Sequence, residues 1–298
     1  MGEKTPVYES VRKNEEYIRK KCDQCADIII RPMRLGDERK VDCLIVYLEV
    51  AVSNMMLEDS VIGKLINHFW EIPPSQMKEF LKNNSLGISD VKELPTLEEA
   101  VEAMLAGNAV FFMDGYDQAV KIAGKGYPAM MVGKAETEKV LRGSKEGFTD
   151  SVKINSALIR KRVKDTRLKV VERQMGVRSN TMLQLLYVED LVQEDLLSEI
   201  QRRLDQFEID GIFDSGMVEQ LTESSWYSPF PQCQTTLRPD RAAMSILEGR
   251  IVLLADNSPA ALILPTDYNS FIQTSDDYYN RWEIASFTRL LRYAASFL

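Results

Sequence analysis

The side chains that could do chemistry are few, and their spacing does not bring them to one catalytic site. The single histidine, His68, lies in LINHFW and is predicted to face the apolar flank of a helix rather than to act as a base. The acids occur as adjacent pairs such as Glu189-Asp190, and adjacent residues diverge by about 100° on a helix. Neither GxxxxGK[ST] nor GxGxxG is present, and Gly124-Lys125-Gly126 is interpreted as a hairpin turn. We therefore predict that the chain is not an enzyme and uses no cofactor or metal.

The cysteines and the overall charge exclude two further classes of protein. Cys22-Asp-Gln-Cys25 is a CxxC, but a zinc site usually needs a second pair, and Cys43 and Cys233 are isolated. We interpret all four as free thiols in a reducing compartment. The net charge of −8 argues against a nucleic-acid partner, because phosphate contact needs a basic surface.

Polar side chains interrupt the apolar face of a helix predicted in GSKEGFTDSVKINSALIRKR, residues 143–162. At 100° per residue, Asn155 falls at the centre of the apolar stripe and Arg162 lies beside it. The apolar members of that stripe are Phe148, Val152, Ile159 and Val163. A buried amide without partners costs about 1–3 kcal/mol, so Asn155 must find them. Two interpretations stay open: Asn155 and Arg162 contact a second lobe, or Asn155 fixes the packing register inside one lobe.

The elements that must position this helix are repeated along the chain. AMLAGNAVFFMDGYDQAVKI (103–122) and SILEGRIVLLADNSPAALIL (245–264) share a helix end, a glycine, an apolar run, an aspartate, a turn and a second apolar run. The matching pairs are Gly107 with Gly249 and Asp114 with Asp256 at an offset of 142, and Tyr47 with Tyr187 and Glu49 with Glu189 at an offset of 140. Several elements recurring in one order indicate an internal duplication.

Each repeat is predicted to contain strand, strand, helix, helix, strand, strand. The predicted bounds are 27–32, 41–49, 54–70, 96–106 and a hairpin at 108–124, then 167–175, 181–189, 193–206, 240–248 and a hairpin at 250–265. Helices interspersed with strands indicate α/β layering. The predicted fold is therefore α/β, with two related mixed-sheet subdomains joined by a central helix.

The chain accordingly divides into five predicted segments. They are an N-terminal helical segment (1–26), a first α/β subdomain (27–136), a connecting segment with the central helix (137–166), a second α/β subdomain (167–268) and a C-terminal helical segment (269–298). RWEIASFTRLLRYAASFL (281–298) ends within an apolar, aromatic run, which predicts that a hydrophobic segment follows.

Two motifs resemble the A subunit of the spore germinant receptors of endospore-forming bacteria, the GerA family. The first motif comprises Glu146-Gly147-Phe148, Asn155, Leu158-Ile159-Arg160 and Arg162. The second comprises DYNSFIQTSDDYYNRW (267–282) followed by RLLRY. The resemblance runs from about residue 27 to the end of the sequence.

The resemblance implies that the chain is the N-terminal part of a longer subunit, with residues 269–298 approaching a helical membrane domain. Such receptors detect small nutrients, amino acids or sugars, and trigger germination. The implied partners are a transporter-like B subunit, a lipoprotein C subunit, the subunit's own membrane domain and further copies in a homo-oligomer. Arg281, Arg289 and Arg292 precede the expected span, and positive residues favour the cytoplasmic side. We therefore expect the domain on the spore-core face of the inner membrane.

Two functions are compatible with this resemblance. The chain is either a regulatory and assembly domain that contacts neighbouring subunits, which we favour, or a module that binds a germinant in a cleft between its lobes. In both cases the polar contacts between lobes or with a ligand are assigned to the residues of the central stretch: Glu146, Phe148, Asn155, Arg160 and Arg162.

Overall fold

The chain forms two compact units of similar architecture. A computed structural model describes residues 4–36, 40–50, 91–122, 127, 138, 143–223, 231–274, 277 and 279–296. The first unit comprises Met1–Pro128 with Lys164–Thr166, and the second comprises Ala129–Val163 with Arg167–Leu298. The predicted helix at 54–70, with His68, and the predicted turn at 124–126 lie outside the described residues.

Two helices and five strands are described in the first unit. Their bounds are α1 Val11–Lys21, β1 Ile28–Leu35, β2 Val41–Leu48, β3 Val91–Leu94, α2 Leu97–Leu105, β4 Ala109–Met113 and β5 Ala119–Ile122. The strands form one sheet in the order β1-β2-β4-β5-β3.

The described part of the second unit repeats this series and adds further helices. Its bounds are α3 Val152–Arg160, β6 Leu168–Met175, β7 Thr181–Val188, α4 Glu194–Gln206, α5 Ser215–Thr222, β8 Gln234–Thr236, α6 Pro239–Leu247, β9 Ile251–Ala255, β10 Ala261–Leu264, α7 Tyr268–Ile272 and α8 Trp282–Ser296. The strand order β6-β7-β9-β10-β8 is that of the first sheet, element for element.

The register of the strands repeats as well. In the first hairpin Ile28 pairs with Leu48, and in the second Leu168 pairs with Val188, which is the same pairing shifted by 140 positions. The α/β class and the two related subdomains are thus confirmed. The expectation of mixed sheets was wrong, because every described strand pair is antiparallel. The reason lies in the short strands β3 and β8, which precede α2 and α6. Each lies at the edge of its sheet and pairs antiparallel with the last strand of the closing hairpin, β5 or β10.

One face of each sheet is covered by a corresponding pair of helices. In the first unit α1 and α2 bury apolar side chains against the sheet, and in the second α3 and α6 do so. In the second unit α4 and α5 pack on the opposite face. The segment predicted as a separate N-terminal helix therefore packs on the first sheet, in the position that α3 has on the second.

The two glycines matched in the sequence end α2 and α6 in the same way. Gly107 has a φ of 93° and Gly249 a φ of 85°, a left-handed conformation that terminates helices and suits glycine. The backbone N–H groups of these glycines donate to Met104 and Ile246, and those of Asn108 and Arg250 donate to Ala103 and Ser245. The repeat thus preserves the helix end itself as well as its sequence.

The last described helix, α8, presents its apolar side chains outward. Ile284, Phe287, Leu290 and Leu291 are all more than half exposed, while Ala285 is buried. Among the described residues, no helix combines the length and hydropathy that crossing a membrane requires.

Candidate functional site

Asn155 closes a loop onto the N-terminus of α3. Its side chain is fully buried, its Oδ1 accepts from the Thr149 backbone N–H at 2.8 Å, and its Nδ2 donates to the Thr149 carbonyl at 2.6 Å. Both polar atoms are therefore satisfied by the extended chain just before the helix, within the second unit. This arrangement, which we call the asparagine clasp, accounts for an amide on the apolar face without requiring contact with another lobe.

The first unit has the same clasp. Asn14 of α1 is also buried, accepts from the Tyr8 N–H at 2.9 Å and donates to the Tyr8 carbonyl at 2.7 Å. Asn14 and Tyr8 precede Asn155 and Thr149 by the same 141 positions. Sequence reasoning missed Asn14, although the repeated offset could have located it.

Two aspartates that match within the repeat, Asp114 and Asp256, cap the same two helices from a distance in sequence. The Asp114 carboxylate accepts from the Val11 N–H, and the Asp256 carboxylate accepts from the Val152 N–H, both at 3.1 Å. An N-terminal helix N–H has no partner inside its helix, so an acid placed there stabilises the helix through the hydrogen bond and the helix dipole. These aspartates follow β4 and β9, so they tie each helix to its own sheet.

Two cations at the C-terminal end of α3, Lys161 and Arg162, bind Glu146 in the connector, the segment that precedes α3. The Glu146 carboxylate accepts from Lys161 Nζ at 2.8 Å and from Arg162 Nη2 at 2.6 Å, and Arg162 Nη2 also reaches Ser144 Oγ at 3.1 Å. Burial opposes ionisation of Glu146, but the hydrogen bonds from Lys161 and Arg162 outweigh it and hold its pKa below the ordinary value. The carboxylate is thus kept charged between two cations.

Ser144 also connects this group to a buried arginine. The side chain of Arg238, at the start of α6, is 1% exposed and donates to the carbonyls of Ser144 at 2.9 Å and Glu138 at 3.0 Å. Its Nη2 forms a 2.6 Å ion pair with Asp240 Oδ2. A buried charge is tolerated only when it is paired and hydrogen-bonded, and these contacts supply that environment.

Tyr279 completes the arrangement from the segment before α8. Its hydroxyl donates to Asp240, and burial followed by this hydrogen bond raises the pKa of Tyr279. Its ring lies against Gly143, where a Cβ atom would approach ring carbons to 2.5–2.7 Å, and Gly143 also has a φ of 104°. Glycine is therefore required at 143 for both reasons.

These groups form one polar cluster that joins four parts of the chain. We call it the Ser144 cluster, and its members are Glu138, Ser144, Glu146, Lys161, Arg162, Arg238, Asp240 and Tyr279. It holds the described part of the connector (138 and 143–146), the end of α3, the start of α6 and the segment that leads into α8 within the second unit. Two buried atoms in it, Arg238 Nε and Asp240 Oδ1, form no hydrogen bond with the part of the chain that the structure describes.

A second charged contact holds α8 itself. The side chain of Asp277 is 1% exposed and accepts from Arg292 Nη1 at 2.7 Å, and Arg292 also donates to the Ile272 carbonyl at 3.1 Å. Burial opposes ionisation of Asp277, but the hydrogen bonds from Arg292 and from the Thr274 N–H hold its pKa below the ordinary value. Polar contacts thus attach α8 to α7 while its apolar residues face outward.

The residues predicted for contacts between lobes or with a ligand have well-defined places inside the second unit. Phe148 is buried in the core under α3, and Arg160 is fully buried and donates to the Leu168 carbonyl at 2.8 Å. Glu146 and Arg162 belong to the Ser144 cluster and Asn155 to its clasp. Their predicted contacts with the other lobe or with a ligand stay predictions.

Sequence reasoning missed the centre of the Ser144 cluster, Arg238 with Asp240 and Tyr279. Arginine is seldom buried, and the pattern Arg-Pro-Asp at 238–240 indicates only a helix start with proline in its first turn. Among the described residues, no group of three or more His, Cys, Asp or Glu could hold a metal ion.

Comparison with known proteins places this architecture among spore germination proteins. Residues 16–298 match the family model of the Bacillus/Clostridium GerA spore germination protein, so the chain belongs to that family. The predicted resemblance to the GerA family is thereby confirmed.

Individual relatives agree with this assignment. The chain is 32% identical over 293 residues to the uncharacterized membrane protein YfkQ of Bacillus subtilis (strain 168), covering 98% of this chain and 56% of that protein. It is 31% identical to spore germination protein KA of the same organism, covering 97% of this chain and 53% of the relative. The chain thus spans about half the length of these curated relatives.

A solved structure shows the same fold. The N-terminal domain of the A subunit of the Bacillus megaterium spore germinant receptor GerK3 matches with a TM-score of 0.70 and 25% sequence identity. The match covers 90% of this chain and 99% of the GerK3 domain. The two-sheet architecture described above is thus the architecture of a germinant-receptor domain.

Proposed function

We propose that this chain is a non-catalytic regulatory and assembly domain of a germinant-receptor A subunit that takes part in triggering spore germination. Family membership supports the process, and the Ser144 cluster supports the mechanism. That cluster is the single observation that carries the proposal, because it links the connector before α3 to the segment that leads into α8.

The buried ion pair of the Ser144 cluster has a free-energy cost. Burying Arg238 and Asp240 is expensive, and replacing buried ion pairs by apolar residues is often neutral or stabilising. A buried pair that adds little stability can instead specify one arrangement of the segments it joins. In the second unit that arrangement fixes the connector and Tyr279, and therefore the start of α8, relative to α6.

The proposal also includes the partners and the location that the family resemblance implies. The chain acts with a transporter-like B subunit, a lipoprotein C subunit, the membrane domain of its own subunit and further A subunits. It lies on the spore-core side of the inner spore membrane. Movement of α8 relative to the rest of the second unit would then be the step by which the domain and the rest of the receptor influence each other.

The test is germination of spores that carry the full receptor with altered cluster residues. Tyr279→Phe keeps the ring against Gly143 but removes the hydrogen bond to Asp240, so the domain should fold while the cluster loosens. We expect slower germination at an unchanged order of preference among nutrients, with receptor amounts measured by immunoblotting. Arg178→Met, at an exposed ion pair of the same unit, is the control.

Two results would count against this proposal. Normal germination of the Tyr279→Phe and Arg238→Met spores at normal receptor levels would remove the cluster from the mechanism. A changed order of nutrient preference in either variant would instead place nutrient recognition at the cluster.

A further inference from the structure

The outer edge of β6 is open in the second unit. β6 is an edge strand, because it pairs on one side only, with β7. The Glu189 N–H donates to the Arg167 carbonyl, and strand groups point alternately to the two sides, so the even-numbered residues of β6 direct their backbone groups away from β7. Two of them, Glu172 and Gln174, are exposed. Their backbone N–H and C=O groups form no hydrogen bond with any part of the chain that the structure describes.

The matching edge of the first unit is blocked by a proline. β1 pairs with β2 in the register of β6 with β7, so Pro32 has the position of Glu172, 140 residues earlier. Proline has no N–H to offer a further strand, and natural sheets use it to protect exposed edges. The first sheet is therefore protected against strand addition at this point, and the second sheet is not.

A groove of about 420 Å³ lies beside the open edge. One wall is the end of β6 with the turn after it (173–177), and the other is the end of α4 with the chain that follows (204–209). The Ile209 carbonyl accepts from the Val177 N–H at 2.8 Å, which fixes the second wall against the turn. Phe207 is 45% exposed and offers apolar surface to an occupant. Because successive side chains of a strand point to opposite faces, a strand added to β6 would direct every second side chain into this groove.

The unpaired charges along the edge and the groove are acidic. Arg173 is paired with Asp205, whereas Glu208 forms no ion pair with any part of the chain that the structure describes. Glu172 accepts from an uncharged amide, Gln184 Nε2, at 2.8 Å and has no cationic partner among the described residues. Two carboxylates without a cationic partner favour an occupant that carries a positive side chain.

We propose that this edge and groove bind an extended segment of a partner protein, which adds to the five-stranded sheet as a further strand. Main-chain hydrogen bonds to Glu172 and Gln174 supply affinity, as in other cases of strand addition. Alternate apolar side chains of the segment lie against Phe207, and a lysine or arginine lies near Glu208. A second copy of this chain is a poorer occupant, because its net charge of −8 and its acidic edge repel another copy.

This assignment goes beyond the proposed function and does not depend on it, because it shares no residue with the Ser144 cluster. The probe is a labelled peptide, acetyl-VKVTVKV-amide, whose binding to the 298-residue chain is measured by fluorescence anisotropy. The peptide acetyl-VEVTVEV-amide reverses the charges. A copy of the basic peptide that is N-methylated at every residue keeps the side chains but lacks their backbone N–H groups. We expect saturable binding of the basic peptide, with both other peptides about tenfold weaker or more.

Proline substitution tests the backbone contacts directly. Gln174→Pro removes an outward N–H but no hydrogen bond to β7, so the sheet should fold as it does around Pro32, while affinity for the basic peptide falls about tenfold or more. Arg34→Pro, at the corresponding position of β1, is the matched control and should bind as the parent does. Glu208→Gln should weaken binding of the basic peptide and strengthen binding of the acidic one. Circular dichroism checks that each variant is folded.

The assignment is overturned by no saturable binding of the basic peptide, by equal binding of its N-methylated copy, or by unchanged binding to a folded Gln174→Pro chain. Hydrogen exchange should show peptide-induced protection at 170–176, and protection confined to other segments would also overturn it. Concentration-dependent dimerisation that Gln174→Pro abolishes would assign the edge to a second copy instead. If Gln174→Pro does not fold, the N-methylated peptide and Glu208→Gln still decide the matter. The Ser144 proposal is judged by germination of Tyr279→Phe spores, so the two proposals fail separately.

Discussion

The two units share a scaffold but differ at the helix that follows their short edge strand. In the first unit Thr96 caps α2 by accepting from the Glu99 N–H at 3.4 Å, which is the ordinary role of a threonine there. In the second unit the corresponding residue is Arg238, which turns inward to Asp240 and the connector. The asparagine clasp is present in both units and supports the fold that they share. At the position of the Thr96 cap, the second unit instead has the buried ion pair of Arg238 with Asp240.

The largest expected effect tests that difference directly. Arg238→Met should destabilise the second unit by about 3–5 kcal/mol, because it leaves Asp240 buried without its partner. Thr96→Ala, at the matching position, should cost the first unit only about 1 kcal/mol. Hydrogen exchange by mass spectrometry, read on peptides from each unit, measures both. Similar losses in the two units would contradict the comparison.

The two asparagine clasps, in contrast, should contribute nearly equally to the stability of their units. Asn14→Ala and Asn155→Ala each remove the two hydrogen bonds of the clasp and leave a backbone N–H and a carbonyl without their partners, at a cost of about 1–3 kcal/mol. Asn155→Ala also removes a longer hydrogen bond from Thr149 Oγ1, at 3.3 Å. Protection of α1 and α3 should fall by similar amounts in the respective variants. If only Asn155→Ala has an effect, the clasps are not equivalent and Asn155 has a further role.

A third change concerns α8, which has no counterpart among the described helices of the first unit. Asp277→Asn weakens the contact with Arg292 and should destabilise the docking of α8 by about 1–2 kcal/mol, since Arg292 is partly exposed. Exchange of α8 amides should accelerate about tenfold while β6–β10 stay protected. Glu283→Gln on the exposed side of α8 is the control. Uniform acceleration throughout the unit would show that Asp277 supports the whole fold instead.

The smallest expected effect is a pH dependence at Glu146, whose place in the first unit is taken by the non-titrating Thr5. The pKa of Glu146 is lower in the folded chain than the ordinary value of about 4.3, so its stabilisation is complete above that pH and is lost as the pH falls through the folded value. Glu146→Gln should cost about 1 kcal/mol or less at neutral pH. The difference in α3 protection between parent and variant should vanish at low pH, and a difference that persists there would exclude this origin.

Much of the scaffold was predictable because it depends on patterns of neighbouring residues. The hairpins, α2 and α6 follow from periodic apolar residues, and the repeated Gly and Asp positions follow from their constant offset. The strands β3 and β8 were not predicted, because three or four residues at a sheet edge are too few to show alternation. The pairing of α1 with α3 was missed because α1 was assigned outside the repeat.

The candidate site was less predictable, since its contacts join residues far apart in the chain. The amide and guanidinium in residues 143–162 interrupt the apolar face of α3, and Glu146 and Arg162 form a partly buried ion pair there. Nothing in the local sequence, however, indicates that Arg238 reaches Ser144 or that Tyr279 requires glycine at 143. Those contacts arise only when β8 and α6 bring the start of α6 beside the connector.

The outward-facing side chains of α8 have a practical consequence for the behaviour of the purified chain. Phe287, Leu290 and Leu291 expose apolar surface to solvent, and exposed apolar patches promote association between molecules. A net charge of −8 keeps copies apart at low ionic strength, and added salt screens that repulsion. Concentrated samples should therefore stay clear in dilute buffer and scatter light as salt is raised.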